Sequence, residues 1–205
     1  MPPPAPRIVD LHRATGAVGE MLRERSTCGI PVVAIAGPTA SGKSTLAADI
    51  AATLAADALV LSTDRYLPDY GGLAPEDVDQ PRHARLDRLG EDLGELRAGR
   101  ATDVPVWSFH THAPAGEERV GPAPVIVVEG LFALHDTLTP RTDLRVLLEI
   151  PEAVRRDRVV ARERSAARGW GLDRVRHHFD HVANPTFAEH EPAYRANAHL
   201  IVTDA

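Results

Sequence analysis

The chain has 205 residues, 43% hydrophobic and 25% charged, with a formal net charge of −6. That length fits one domain with a full core, and the acidic balance argues against a general nucleic-acid binder. The single cysteine, Cys28, excludes an intrachain disulfide, no apolar run approaches a membrane span, and the N-terminal MPPPAPR has no apolar signal core, so a cytoplasmic setting is expected.

In chain order, residues 1–30 read as a proline-rich tail and a short helix over 14–26, and the main domain occupies 31–205. PVVAIA (31–36) is a continuous β-branched run, as expected of a buried parallel strand. A Gly-rich loop follows, then a helix whose Leu46, Ile50 and Leu54 form an apolar stripe. ALVL (58–61) is a second strand and runs into Ser62, Thr63 and Asp64. A helix is predicted near 84–98, a strand at 104–109, and a loop or hairpin at 110–122. Strands follow at 125–128 and 144–150, helices at 152–168 and 172–183, and a last strand at 199–203. Strands alternating with helices predict a three-layer α/β fold with a mainly parallel sheet.

The loop GPTASGKST matches G-x-x-x-x-G-K-[ST] and comprises Gly37, Pro38, Thr39, Ala40, Ser41, Gly42, Lys43, Ser44 and Thr45. Its glycines allow backbone N–H groups to converge on phosphates, and the following helix adds its positive dipole end. Lys43 is the only lysine in a chain that otherwise uses arginine. A compact ammonium fits between β- and γ-phosphates where a planar guanidinium fits badly. Ser44 is a hydroxyl ligand for Mg²⁺. With no second lysine, the chain has no N-K-x-D guanine reader, which excludes the usual GTPase. Asp64 and Glu129 each follow a strand. One carboxylate there can serve Mg²⁺ and the other can orient and deprotonate an acceptor hydroxyl, so Ser44, Glu129 and Asp64 are the metal candidates.

Seven blocks in order then resemble the uridine/cytidine kinase group of P-loop kinases, which includes phosphoribulokinase-like and pantothenate-kinase-like relatives. They are GPTASGKST, LSTDRYL, DVDQPRHARLD, VPVWSFHTH, VIVVEGLFAL, RVVARERSAARG and ANPTFAEHEPAYRANAHLIV, and they span about residues 31–203. The resemblance implies a P-loop fold with a small hairpin insertion and an Arg-rich lid helix. It implies ATP, or another NTP, as donor with Mg²⁺, and a small-molecule acceptor, first the 5′-hydroxyl of a pyrimidine nucleoside. A sugar phosphate, a pantothenate-like acceptor, or a regulatory nucleotide binder without an acceptor are the alternatives. By the same resemblance Asp64 orients the hydroxyl with Tyr66 beside it, and Asp79 accepts from ribose hydroxyls. Trp107 and Phe109 flank the base, His112 bonds its edge, and Glu129 serves Mg²⁺. Arg158, Arg162 and Arg168 close over the phosphates. A homo-oligomer is left open; nucleic-acid and membrane partners are not expected.

The residues themselves leave alternatives. Trp107 and Phe109, two apart on a strand, equally fit one core face. His110 and His112 lack partners at metal spacing, and His177 and His181 at i, i+4 have no glutamate between them, so these pairs read as surface or lid residues. Arg155, Arg158 and Arg162 share a helix face, as do Arg164 and Arg168; such a face is either merely solvated or a cover for transferred charge. Relative to the family, Trp107 replaces a tyrosine, Ser108 an aspartate, and Gln80 a histidine before Pro81, and Ala113-Pro114 stand where an arginine is common. All of these fall on the acceptor side.

Overall fold

A computed structural model describes residues 5–25, 29–74, 77–165 and 171–204. Six strands form one parallel sheet: β1 (Arg7–Asp10), β2 (Val32–Ala36), β3 (Leu59–Ser62), β6 (Ile126–Glu129), β7 (Leu144–Glu149) and β8 (Leu200–Thr203). Their order is β1-β8-β7-β2-β6-β3. A separate antiparallel hairpin consists of β4 (Thr102–Ser108) and β5 (Ala113–Val120).

All five residues of β2 are buried, and it feeds two cores by alternation. Val32, Ala34 and Ala36 point to the layer of α3 (Leu86–Arg97) and α6 (Asn184–Asn197), with Leu89, Leu93, Phe187 and Tyr194. Val33 and Ile35 point to the layer of α1 (Leu11–Arg23) and α2 (Lys43–Leu54), with Val18, Leu46 and Ile50. A strand covered on both faces must be apolar at every position, which is why its sequence shows no alternation. Each fully buried Ile or Leu side chain contributes about 1.5–3 kcal/mol through removal of apolar surface from water. The fold is the three-layer α/β P-loop arrangement expected from the sequence. No described helix is long and apolar enough to cross a membrane.

Two elements were not anticipated. β1 joins the sheet edge beside β8, but its residues are exposed or half-buried, so RIVD carries little hydrophobic signal. α6 has Pro185 in its first turn and Pro192 inside, and the two prolines obscure a helix that buries Thr186, Phe187 and Tyr194. The expected helix over 172–183 is an α-helix, α5 (Leu172–His178), followed by one π turn over Phe179–Ala183. The Arg-rich helix, α4, covers Glu152–Arg164. Arg168 and Cys28 lie outside the described residues.

Parallel order puts the C-terminal ends of β2, β3 and β6 side by side, so the phosphate loop, Asp64 and Glu129 emerge at one edge of the sheet. This is where open α/β sheets bind ligands.

Candidate active site

The phosphate loop is held tightly. A Cβ on Gly37 would stand 2.8 Å from Ser41 Oγ and 2.9 Å from Leu148 Cβ. Gly42 has φ 96°, and Ala40 adopts φ 62°, an unfavourable angle for a residue with a Cβ. Lys43 Nζ donates to Pro38 O at 3.0 Å. Burial pushes the Lys43 ammonium below its ordinary pKa, while the charges of Glu129 and Asp64 oppose that shift. Ser44 Oγ donates to Glu129 Oε2 at 3.1 Å. A hydroxyl and a mostly buried carboxylate side by side are hard oxygen donors of the kind that Mg²⁺ prefers. No group of three or more His, Cys, Asp or Glu that could hold a metal ion occurs among the described residues.

Asp64 lies in a 3₁₀ turn over Thr63–Tyr66, capped by Ser62 Oγ, which accepts from Asp64 N at 3.2 Å. Thr63 is wholly buried against Gly130, whose φ is 145°. A Cβ on Gly130 would fall 1.9 Å from Thr63 Oγ1 and 2.9 Å from Thr63 Cβ. Gly130→Ala is therefore expected to cost about 3 kcal/mol, lowering the apo unfolding midpoint by roughly 6–12 °C. A thermal scan showing a shift below about 2 °C would contradict this close approach.

Tyr66 does not line the cavity that Asp64 lines. It is fully buried in the core, and its hydroxyl donates to Asp92 Oδ2 at 2.8 Å. Two residues along a 3₁₀ turn is a rotation of about 240°, which turns Tyr66 away from the side that Asp64 faces. The tyrosine in the site is Tyr70. Its hydroxyl donates to Asp79 Oδ1 at 2.7 Å, and its ring packs on Trp107 at a centroid distance of 5.1 Å and on His112 at 6.2 Å. Burial and the adjoining Asp79 carboxylate push the Tyr70 hydroxyl well above its ordinary pKa, so it remains a donor.

A cavity of about 790 Å³ joins these parts. Of the expected site residues, Thr39, Ala40, Gly42, Lys43, Ser44, Thr45, Asp64, Asp79, Trp107, Phe109, His112, Glu129, Arg158 and Arg162 line it. Gly37, Pro38 and Ser41 form the loop's frame behind that lining. Trp107 is 7% exposed, with Nε1 donating to Pro68 O, so it serves the core and the cavity wall together. Phe109 is 52% exposed and meets Trp107 edge to face at 5.1 Å. Asp79 and His112 both have left-handed backbones, φ 61° and 55°. Strain of this kind concentrates where surrounding structure fixes a functional side chain.

The sequence reading missed Tyr70 and two residues of α5 that line the cavity, Arg174 and His178; His177, read there as a surface or lid residue, lines it too. His178 Nε2 lies 3.3 Å from Asp79 Oδ2, linking α5 to the cavity wall that Asp79 forms. His177 and His181, noticed for their spacing, do meet, with ring centroids 4.5 Å apart. The useful signal was the helical register that puts Arg174, His177 and His178 on one face.

Residues 32–204 match the profile of the Phosphoribulokinase / Uridine kinase family. A uridine kinase of Shewanella pealeana is 31% identical over 183 residues, covering 83% of this chain and 86% of that one. Uridine-cytidine kinase C of Dictyostelium discoideum is 31% identical over 129 residues, but the match covers 62% of this chain and only 28% of that longer protein. Among solved structures, a protein of Silicibacter sp. TM1040, provisionally described as a fructose transport system kinase, superposes with a TM-score of 0.74 at 25% identity, over 91% of this chain and 98% of that one. The chain belongs to the phosphoribulokinase/uridine kinase family of P-loop kinases.

Proposed function

We propose that this protein is an ATP-dependent kinase that phosphorylates a small-molecule hydroxyl, with the 5′-hydroxyl of uridine or cytidine as the best-supported acceptor. One observation carries the reading: a single cavity has the phosphate loop at one end and an aromatic, carboxylate-bearing wall at the other. Asp64 lines that cavity together with Lys43 and Tyr70.

The chemistry follows from these positions. The loop N–H groups and Lys43 hold the β- and γ-phosphates, and Arg158 and Arg162 face the transferred group. Ser44 and Glu129 would hold Mg²⁺, which neutralises phosphate charge when bound. Asp79 and Tyr70 orient the acceptor, and the rings of Trp107, Phe109 and His112 offer a flat base a stacking surface at low entropic cost. Asp64 takes the hydroxyl proton as the acceptor oxygen bonds to the γ-phosphorus and the bond to the ADP oxygen breaks.

A second reading keeps the kinase and changes the acceptor. Arg174 gives the cavity a cation, with His177 and His178 beside it as polar ring partners, which suits an acceptor that already carries an anion, such as a sugar phosphate. An acceptor panel with Mg·ATP separates the two. Uridine or cytidine is expected to yield the 5′-monophosphate and equimolar ADP. Turnover of a sugar phosphate or pantothenate with none of either nucleoside would overturn the nucleoside reading, and no turnover of any alcohol would overturn the kinase.

A further inference from the structure

Four consecutive carbonyls of the phosphate loop each accept a hydrogen bond from a cationic side chain. Lys43 takes Pro38 O, Arg155 Nη1 takes Thr39 O at 3.3 Å, and Arg158 Nη1 takes Ala40 O at 3.5 Å and Ser41 O at 3.2 Å. Arg155 and Arg158 are neighbours on one face of α4. Arg158 lines the cavity, whereas Arg155 lies behind the loop and is 8% exposed.

The surroundings of Arg155 are unusual for a buried cation. Its Nε donates to Ile150 O at 3.0 Å and its Nη1 to Asn184 Oδ1 at 2.7 Å, and its guanidinium lies 5.4 Å from the centre of the Phe179 ring. Among the described residues its hydrogen-bond partners are all neutral. Burial pulls its pKa down, with Glu152 and Glu191 opposing and Arg156 adding to the shift, yet an arginine remains charged. An unpaired buried charge is costly to a fold, so this position is poorly explained by stability alone.

The loop geometry supplies a reason. No peptide bond here is cis, so the C=O of Thr39 and the N–H of Ala40 point in opposite directions across one planar unit. Holding the carbonyl from behind turns the Ala40 N–H away from Arg155, toward the cavity that Thr39 and Ala40 line. Ala40 needs such a hold, because its left-handed backbone costs about 1–2 kcal/mol for a residue with a Cβ. The Arg155 charge also reaches through the loop, since it is felt at Lys43 together with those of Glu129, Asp64 and Arg162.

We infer that Arg155 is a positioning residue for the donor triphosphate: it fixes the Thr39–Ala40 peptide with its N–H toward the phosphates and adds positive field from behind the loop. The inference rests on the nucleotide reading proposed above. Its test compares wild type, Arg155→Met and Arg155→Lys by calorimetric binding of a non-hydrolysable ATP analogue and by steady-state kinetics. Arg155→Met is expected to weaken analogue binding and raise KM for ATP about tenfold, with acceptor KM and saturated kcat within about twofold. Arg155→Lys, which restores charge and one donor, recovers part of the loss. An Arg155→Met protein that unfolds earlier but binds the analogue like wild type would show a mere brace and overturn the inference. So would equal losses in kcat and both KM values. If the methionine variant does not fold, the lysine variant carries the test, and unchanged analogue affinity in it is the overturning result. Wild type that binds no analogue defeats the nucleotide reading itself, an outcome distinct from wild type and variant binding alike.

Discussion

Replacing Asp64 by asparagine is expected to lower kcat by about 10²–10⁴-fold while leaving ATP affinity nearly intact. The swap preserves shape, and the 3₁₀ turn is held by the Ser62 cap and the buried Thr63, neither of which needs the carboxylate. What disappears is the acceptor for the hydroxyl proton. An amide presents one oxygen and two fixed donors, so it can neither take that proton nor orient the hydroxyl in the same way. One secondary effect is predictable in sign. Asp64 helps keep the buried Lys43 charged, so its removal pushes the Lys43 pKa further down. Glu129 remains and exerts the larger opposing influence, so nucleotide binding is expected to survive. Product formation under saturating ATP and acceptor, measured beside the dissociation constant of an ATP analogue, checks both halves. A variant that keeps kcat within tenfold of wild type would remove Asp64 from the chemistry and favour a nucleotide-binding regulator. A variant that loses ATP binding would move Asp64 to the donor side.

Sequence legibility followed the physics of each segment. β2 and the loop after it were readable because a doubly covered strand must be apolar throughout and because the phosphate cradle needs glycine at fixed positions. Asp64 and Glu129 were readable because strand order brings their ends together, and alternating strands and helices imply that order. Tyr66 and Tyr70 could not be sorted by chain distance. Proximity to Asp64 favoured Tyr66, but the rotation of a 3₁₀ turn sent it to Asp92 in the core and left the site to a tyrosine six residues beyond Asp64. His178 was overlooked because its adjacency to His177 says nothing about Asp79, 99 positions earlier. The role argued for Arg155 depends on contacts to Thr39 and Asn184, on two other segments, and no pattern within α4 distinguishes it from the half-buried Arg156 and Arg158. Long-range polar contacts are what one sequence encodes least visibly.

Lys43→Met is expected to reduce kcat/KM by about 10³-fold or more, because it removes the ammonium from the loop where phosphate charge develops. Apo stability is expected to stay close to that of the wild type. The methionine keeps the apolar stem, the hydrogen bond to Pro38 O is the one lost among the described residues, and the desolvation that depresses the Lys43 pKa is relieved. A loss of more than about 2 kcal/mol in the apo protein would mean that the ammonium is holding the loop together. Lys43→Arg sharpens the argument, since it keeps the charge and changes only its shape. The ammonium already shares its surroundings with Arg162 and Arg155, which lower its pKa, and a wide planar fork in their midst has neither the room nor the geometry for a point between two phosphates. The arginine variant is therefore expected to stay within about tenfold of the methionine variant. Recovery to near wild-type activity would show that charge alone matters and would leave the chain's single lysine without a physical reason. Because Lys43 is that single lysine, an amine-directed label can react only there and at the N-terminus, and protection by bound ATP reads occupancy of the cradle without any turnover.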